Sequence, residues 1–338
     1  MNNQNFTRKH KSSYVFFVLT MVLALLLSGC GGKKAKVYKV GILSGLSFIA
    51  DTTDGFKAKM AELGYEEGKD IIYDVQATNF DMEVYRSILK KFVDDKVDLI
   101  VTFPTEASME GKAAIEGTDI PMIFTYCLIE GMGIVDSVRE PGGNITGVRY
   151  PGPDIALKRF EVLLQLAPDA RRILLPYQKG YPIVAPQLEA LKGAAATAGV
   201  ELVEAPSVDA ADLQAQLDGL VKGDDPGVDA ILMLVEPLAV TPDPFVVMAK
   251  FAEKYQLPLG GASMAFDAYA SMYGINVSSY KSGELAAPLA DKVLKGTQAG
   301  TIPVVSSESF LAINLVAAAK MGVTVPESLL AQAVDIVR

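Results

Sequence analysis

The chain has 338 residues, 50% of them hydrophobic, with 40 Asp+Glu against 31 Lys+Arg and a net charge of −9. That length suits two domains with cores of their own, and the acidic balance, with no clustered basic face, excludes a nucleic-acid footprint. One His, two Cys and no Trp remove or badly weaken a histidine base, a His/Cys zinc site and a redox cysteine pair.

At the front, Arg8, Lys9, His10 and Lys11 form a basic patch before the apolar run Val15–Leu27. That run is about 13 residues, whereas a bilayer-spanning helix needs roughly 20. A charged start, a short apolar middle and small residues at its end are the pattern of an export signal. Leu27-Ser28-Gly29-Cys30 resembles the bacterial lipoprotein box. The resemblance implies removal of residues 1–29, lipidation of Cys30 and a tether over residues 30–36 holding a soluble protein on a membrane. His10 leaves with the signal, and Cys127, the other cysteine, is left without a disulfide partner. Its apolar setting, Ile123 to Leu128, reads as that of a small buried hydrophobe.

Strand and helix patterns then alternate. Val37–Ser44 reads as a strand, and Asp51–Leu63 as a helix with Phe56, Met60 and Leu63 on one side, stopped by Gly64. Ile71–Val75 is a strand, Met82–Val93 a helix, Leu99–Phe103 a strand, Thr105–Ile115 a helix and Met122–Tyr126 a strand. After the turn Pro141-Gly142-Gly143-Asn144 a second series follows: helix Ile155–Leu166, strand Ile173–Pro176, helix Ala185–Ala198, strand Glu201–Val203, helix Ala211–Val221, strand Ile231–Val235, helix Pro244–Tyr255 and a short strand from Leu259. Met272–Val277 is extended and Ser282–Leu294 helical. Short strands alternating with helices of ten or more residues imply βαβ crossovers and parallel sheets. The expected fold is α/β, with two similar Rossmann-like lobes and a cleft between the carboxyl ends of their strands. The first lobe is expected over 37–147, completed by about 277–300, and the second over 148–276, completed by about 301–338. Asn144–Val148 and Gly274–Val277 are the expected hinge crossings.

The mature chain resembles the solute-binding proteins of ABC importers, in the group that takes up aromatic amino acids such as tryptophan. The resemblance is carried by Asp54-Gly55-Phe56, Glu62-Leu63-Gly64-Tyr65, Val97–Val101 leading to Thr105 and Ala107, and Pro121–Phe124. Pro141–Val148, Gly274-Ile275-Asn276, Leu294-Lys295-Gly296, Ile302-Pro303, Ile313-Asn314-Leu315 and Pro326–Leu330 complete it. It implies a type I periplasmic-binding-protein architecture, a small-molecule ligand, an ABC permease with its ATPase as partner, and a monomer exported to the cell envelope. It implies no cofactor, no metal and no catalytic residue. The chain departs from the family pattern in a short loop from Ser44 to Asp51, in Ile129-Glu130 where an Asp-Pro pair is usual, and in Glu236 for an Asp.

Thr105 stands where it would cap a helix, with first-turn N–H groups that can hold a carboxylate. In the family the matching Thr and small residues, here Thr105, Ala107 and Ser108, do this for the ligand. Glu236, after a strand, is placed to pair with a ligand ammonium; its plainer reading is a solvated loop acid. Tyr126, Tyr150, Tyr177, Tyr181, Phe48 and Phe266 sit near strand ends and suit the walls of a flat or apolar ligand. Ser44, in the loop after the first strand, and Asp267 and Asp51 are further polar candidates. Two other readings remain open at this stage: a ligand-sensing subunit of a membrane receptor, and an envelope enzyme using Glu236, Asp267 or Asp51 as acid and base.

Overall fold

The computed structural model describes residues 36–338; the export signal, Cys30 and the tether before Lys36 lie outside them. The first half runs β1 (Tyr38–Ser44), α1 (Asp51–Glu62), β2 (Ile71–Ala77), α2 (Met82–Asp94), β3 (Leu99–Phe103), α3 (Thr105–Ala114), β4 (Met122–Cys127) and β5 (Ile145–Arg149). The second continues with α4 (Gly152–Leu166), β6 (Arg172–Gln178), α5 (Val184–Ala198), β7 (Glu201–Ser207), α6 (Ala210–Leu220), β8 (Ala230–Leu232), α7 (Pro237–Val240), α8 (Pro242–Tyr255) and β9 (Leu259–Gly260). Then come the hairpin β10 (Ala265–Phe266) and β11 (Tyr269–Ala270), β12 (Tyr273–Val277), α9 (Ser279–Leu294), β13 (Val305–Ser306), β14 (Ser309–Asn314), α10 (Leu315–Lys320), α11 (Glu327–Leu330) and β15 (Ala333–Val337).

The strands assemble into two layered α/β lobes. The first holds a parallel six-stranded sheet in the order β13-β5-β4-β3-β1-β2. Its central strand β3 is buried along its whole length, as expected of a strand covered by helices on both faces. The second lobe has a parallel sheet ordered β7-β6-β8-β9. A bridge from Gly261 to Gly274 leads from it to β12-β14-β15, where β14 runs antiparallel to β12. The second lobe is therefore mixed at one end rather than wholly parallel. The chain passes between the sheets after β5, after β12 and again between β13 and β14.

Helix boundaries follow local chemistry. Asp81 caps α2 by accepting from the N–H groups of Glu83 and Val84, and Tyr85, Leu89 and Phe92 form its buried stripe, the spacing expected of an amphipathic helix. Gly199 ends α5 in the left-handed conformation, where glycine carries no Cβ penalty. Leu63, expected on the buried side of α1, is 37% exposed, because the helix ends at Glu62 and the chain turns through Gly64.

The returning helix α9 packs against α1 through glycines. A Cβ on Gly283 would lie 2.0 Å from the Thr52 carbonyl oxygen, and one on Gly55 2.0 Å from that of Tyr280. Neither obstacle is a flexible side chain, so the helices would have to separate. Helix α9 is also held by Thr125 Oγ1 donating to the Ser282 carbonyl at 2.9 Å and Tyr65 Oη donating to Asp291 at 2.9 Å. Gly283→Ala is expected to destabilise the protein by roughly 1–3 kcal/mol through overpacking, although alanine is the better helix former by about 1 kcal/mol. Urea denaturation checks this: a midpoint equal to or above that of the parent protein contradicts the close-packed seam.

Candidate ligand-binding site

The carboxyl ends of the two parallel sheets face a cavity of about 420 Å³, within the usual range for small-ligand sites. From the first lobe it is lined by Leu46, Ser47 and Phe48 beyond β1, Asn79 and Phe80 beyond β2, Pro104 to Glu106 at the β3–α3 junction, Tyr126 and Leu128 at the end of β4, and Tyr150 after β5. From the second lobe come Tyr181 and Ile183 beyond β6, and Val235, Glu236, Pro237, Val240 and Thr241 beyond β8. This is where open parallel sheets place ligands.

Aromatic rings form much of the wall. Tyr126 has φ +47°, an uncommon conformation for a non-glycine residue. It lies where the β4–β5 register shifts, between Phe124 and Cys127, and such irregularities re-aim side chains. Its ring centroid is 5.4 Å from that of Tyr150, and burial pushes its phenol pKa up. Tyr150 Oη accepts from Arg159 Nη2 at 2.9 Å. Arg159 is fully buried and also donates to the Ile275 carbonyl on β12, at 2.6 Å from Nη2.

Two carboxyls face the cavity. Glu236 is 2% exposed: it is an N-cap, not a solvated loop acid. Its Oε1 accepts from Ala239 N at 2.9 Å, and its Oε2 from Leu238 N at 3.1 Å and Gln178 N at 3.0 Å. Burial nevertheless pushes its pKa up to about 7, against the opposing effect of those three N–H groups. Glu106, in the first turn of α3, accepts from Tyr181 Oη at 2.5 Å. Burial raises its pKa too, opposed by the Tyr181 hydroxyl and its own backbone N–H. The Glu106–Tyr181 bond joins the lobes, and so does the contact of Tyr181 with Phe80, at 6.0 Å between centroids.

Of the residues singled out in the sequence, Thr105, Tyr126 and Glu236 line this cavity together with Tyr150, Tyr181 and Phe48. Thr105 does not cap its helix. It is the first residue of α3, and its Oγ1 accepts from Leu128 N at 3.0 Å, tying the helix start to the loop after β4. Ala107 and Ser108 turn into the core; Ser108 Oγ donates to the Pro104 carbonyl at 2.8 Å. Ser44 is buried at the end of β1, its Oγ without a hydrogen-bond partner among the described residues. Tyr177 lies outside the cavity lining and donates to Glu204 at 2.6 Å. Phe266 and Asp267 lie in the β10–β11 hairpin, outside that lining, and Asp51 accepts from Ser279 Oγ at 2.6 Å. Cys127 is fully buried, and burial pushes its thiol pKa up. Glu106 and Phe80 were not singled out as ligand contacts. The signal for both is position, since each stands just beyond the carboxyl end of a strand.

A family model described as ABC transporter substrate binding protein matches residues 39–337. The chain belongs to that family. It is similar to a tyrosine-binding protein of Clostridioides difficile (strain R20291), 29% identical over 265 residues, covering 77% of this chain and 73% of that protein. Among solved structures it is similar to a conserved domain protein of Vibrio cholerae (25% identity, TM-score 0.74, covering 89% of this chain and 100% of that one). It is also similar in fold to an ABC domain of Streptococcus pneumonia solved with L-Trp (22% identity, TM-score 0.76, 89% and 100% covered). The fold is the type I periplasmic-binding-protein architecture. No helix among the described residues is long and apolar enough to cross a membrane.

The Glu236 carboxyl gives a pH dependence with a definite sign. Its pKa is higher folded, at about 7, than its ordinary 4.5, so the folded state holds the proton more tightly. Its contribution to stability is full below pH 4.5, falls as pH rises through 7 and levels above. The slope is at most about 1.4 kcal/mol per pH unit. Glu236→Gln cannot ionise, so between pH 5 and 7 the parent is expected to lose stability relative to that variant. Urea denaturation of both proteins at several pH values tests this; a gap independent of pH rules it out.

Proposed function

We propose that this protein is the lipid-anchored solute receptor of an ABC importer, taking a small organic ligand of amino-acid size into the inter-lobe cavity and presenting it to a membrane permease. The observation that carries the reading is the cavity itself: it lies between the carboxyl ends of two parallel sheets and draws its walls from both lobes. Tyr126, Tyr150, Tyr181 and Phe80 give it flat apolar surfaces, which favour an apolar or aromatic body through area burial and ring contact. Thr105, Tyr126 and Glu236 remain the assigned site residues, joined by Glu106, Phe80, Tyr150 and Tyr181. The relatives support an amino-acid-sized ligand, one by its name and one by the L-Trp in its crystals.

Closure as a two-lobe movement about the crossing strands is part of this reading. Tyr181 meets Glu106 and Phe80 across the cleft, and these contacts would be lost on opening. Export and anchoring through Cys30 rest on Leu27-Ser28-Gly29-Cys30, and no catalytic role is assigned to any residue.

A thermal-shift screen of the protein stripped of co-purified solutes tests the reading, with amino acids, organic acids, sugars and nucleosides as the panel. A ligand at 100 times its Kd adds about 2.7 kcal/mol, which raises the Tm of a chain this size by roughly 2–4 °C per kcal/mol. A shift with a few related amino-acid-sized solutes is the expected result. No shift with any class sinks the receptor reading.

A further inference from the structure

The charge carried by the cavity lining is one-sided. Its lining holds two carboxyls, Glu106 and Glu236, and among the described residues no Lys, Arg or His. Arg159, fully buried and outside that lining, donates from Nε and Nη2 to the Ile275 carbonyl and from Nη2 to the Tyr150 hydroxyl, and its Nη1 has no partner among the described residues. The place where an incoming anion would be welcomed, the N-terminus of the ten-residue helix α3, already holds a carboxylate of the protein. Glu106 belongs to the first turn of that helix and interacts with its own backbone N–H. A ligand carboxylate there would displace Glu106 from the helix or face it at close range, and like charges in a poorly solvated site repel strongly.

Glu236 is nearly saturated, because three backbone N–H groups take up its oxygens. Glu106 is not: among the described residues its one donor from another residue is the Tyr181 hydroxyl. We propose that the cavity is built for a ligand recognised through a cation, an ammonium group on an aromatic body, and that Glu106 is the residue that selects it. This rests on the receptor reading and decides between the two charged ends an amino-acid-like ligand could offer. The ammonium sits against Glu106, and the faces of Phe80, Tyr126 and Tyr181 supply the cation–π surface around it. The raised pKa values of both carboxyls fit acids that face no cation in the unliganded cavity; a bound ammonium lowers them.

Matched triplets on one ring test this by isothermal titration calorimetry with the full detergent-solubilised protein. The first is tyramine, tyrosine and 3-(4-hydroxyphenyl)propionate; the second is tryptamine, tryptophan and indole-3-propionate. In at least one triplet the amine is expected to bind tenfold or more tightly than the amino acid, with no measurable binding of the anion. Glu106→Gln is expected to abolish that preference, and Glu106→Asp, which keeps the charge, to retain it; both are compared at unchanged ligand-free Tm. If Glu106→Gln does not fold, the ranking of the triplets in the parent protein still decides. An amino acid bound more tightly than its amine, or an anion bound as well as either, overturns the proposal and leaves the receptor reading standing. Binding of a neutral sugar or nucleoside while both triplets fail does the same. Failure of every solute class overturns the receptor reading as well.

Discussion

A single buried guanidinium holds the junction between the lobes. Arg159 is fully buried on α4, where a charge survives only if hydrogen bonds replace the lost water. Two of its nitrogens reach the Ile275 carbonyl on β12, and Nη2 also reaches the Tyr150 hydroxyl just past β5. Tyr273, on β12 itself, returns a bond from its hydroxyl to the Arg159 carbonyl at 2.6 Å. Two of the places where the chain changes sheet are thus fixed to one side chain. Its partners are neutral dipoles rather than a carboxylate, and Nη1 has no partner among the described residues. The charge therefore remains uncancelled just behind Tyr150, a residue of the cavity wall. The residue that ties these two crossings together also holds one of the rings of the cavity wall.

From that junction the shape of the site follows. Parallel strands in each sheet end on the same side, so the loops that leave them converge on one gap. The register shift at the end of β4 turns Tyr126 toward that gap, and the N-cap at Glu236 aligns the start of α7 on it. Thr105 and Glu106 both lie in the first turn of α3 but do different work. The threonine hydroxyl braces the loop after β4, while the glutamate reaches across to the other lobe. Small residues perform the packing that lets these pieces meet, above all Gly55 and Gly283 between α1 and α9.

Much of this architecture was legible in the residues. Runs such as Leu99–Phe103 and the stripe Tyr85, Leu89, Phe92 carry their periodicities plainly, because both are buried in the way their elements require. The strand expected at Ile231–Val235 pairs only over Ala230–Leu232, since the chain must then turn to bring Glu236 over α7. The strands after residue 300 left little trace. β15 is an edge strand with no buried residue, and β13 has two residues, so neither produces a pattern. In the site, the aromatic set was partly readable. Tyr177 and Tyr181 looked alike as residues near one strand end, but Tyr177 is the last-but-one residue of β6 and turns to Glu204, whereas Tyr181 lies beyond it and meets Glu106. Phe80 was hidden because β2 runs two residues further than its apolar pattern. Glu106 stands in the first turn of α3, where an acid suits the helix dipole; that it also spans the cleft depends on a residue 75 positions away, which no local pattern contains.

Under the closure reading, the balance between open and closed forms rests on few contacts. On that reading the crossings anchored by Arg159 would persist in both forms, whereas the pairing of Tyr181 with Glu106 and Phe80 would exist only when the lobes meet. A ligand shifts such an equilibrium only by the difference in its contacts with the two forms. A solute that touched one lobe alone would bind without closing the protein. One held by Glu106 and Tyr126 on the first lobe and by Tyr181 on the second gains its second set of contacts only on closure. It must also compensate Glu106 for any loss of the Tyr181 hydroxyl, and a group carrying several N–H donors can do so while that bond is kept or replaced. Under the two proposals together, selection and movement would meet at the same carboxyl, Glu106.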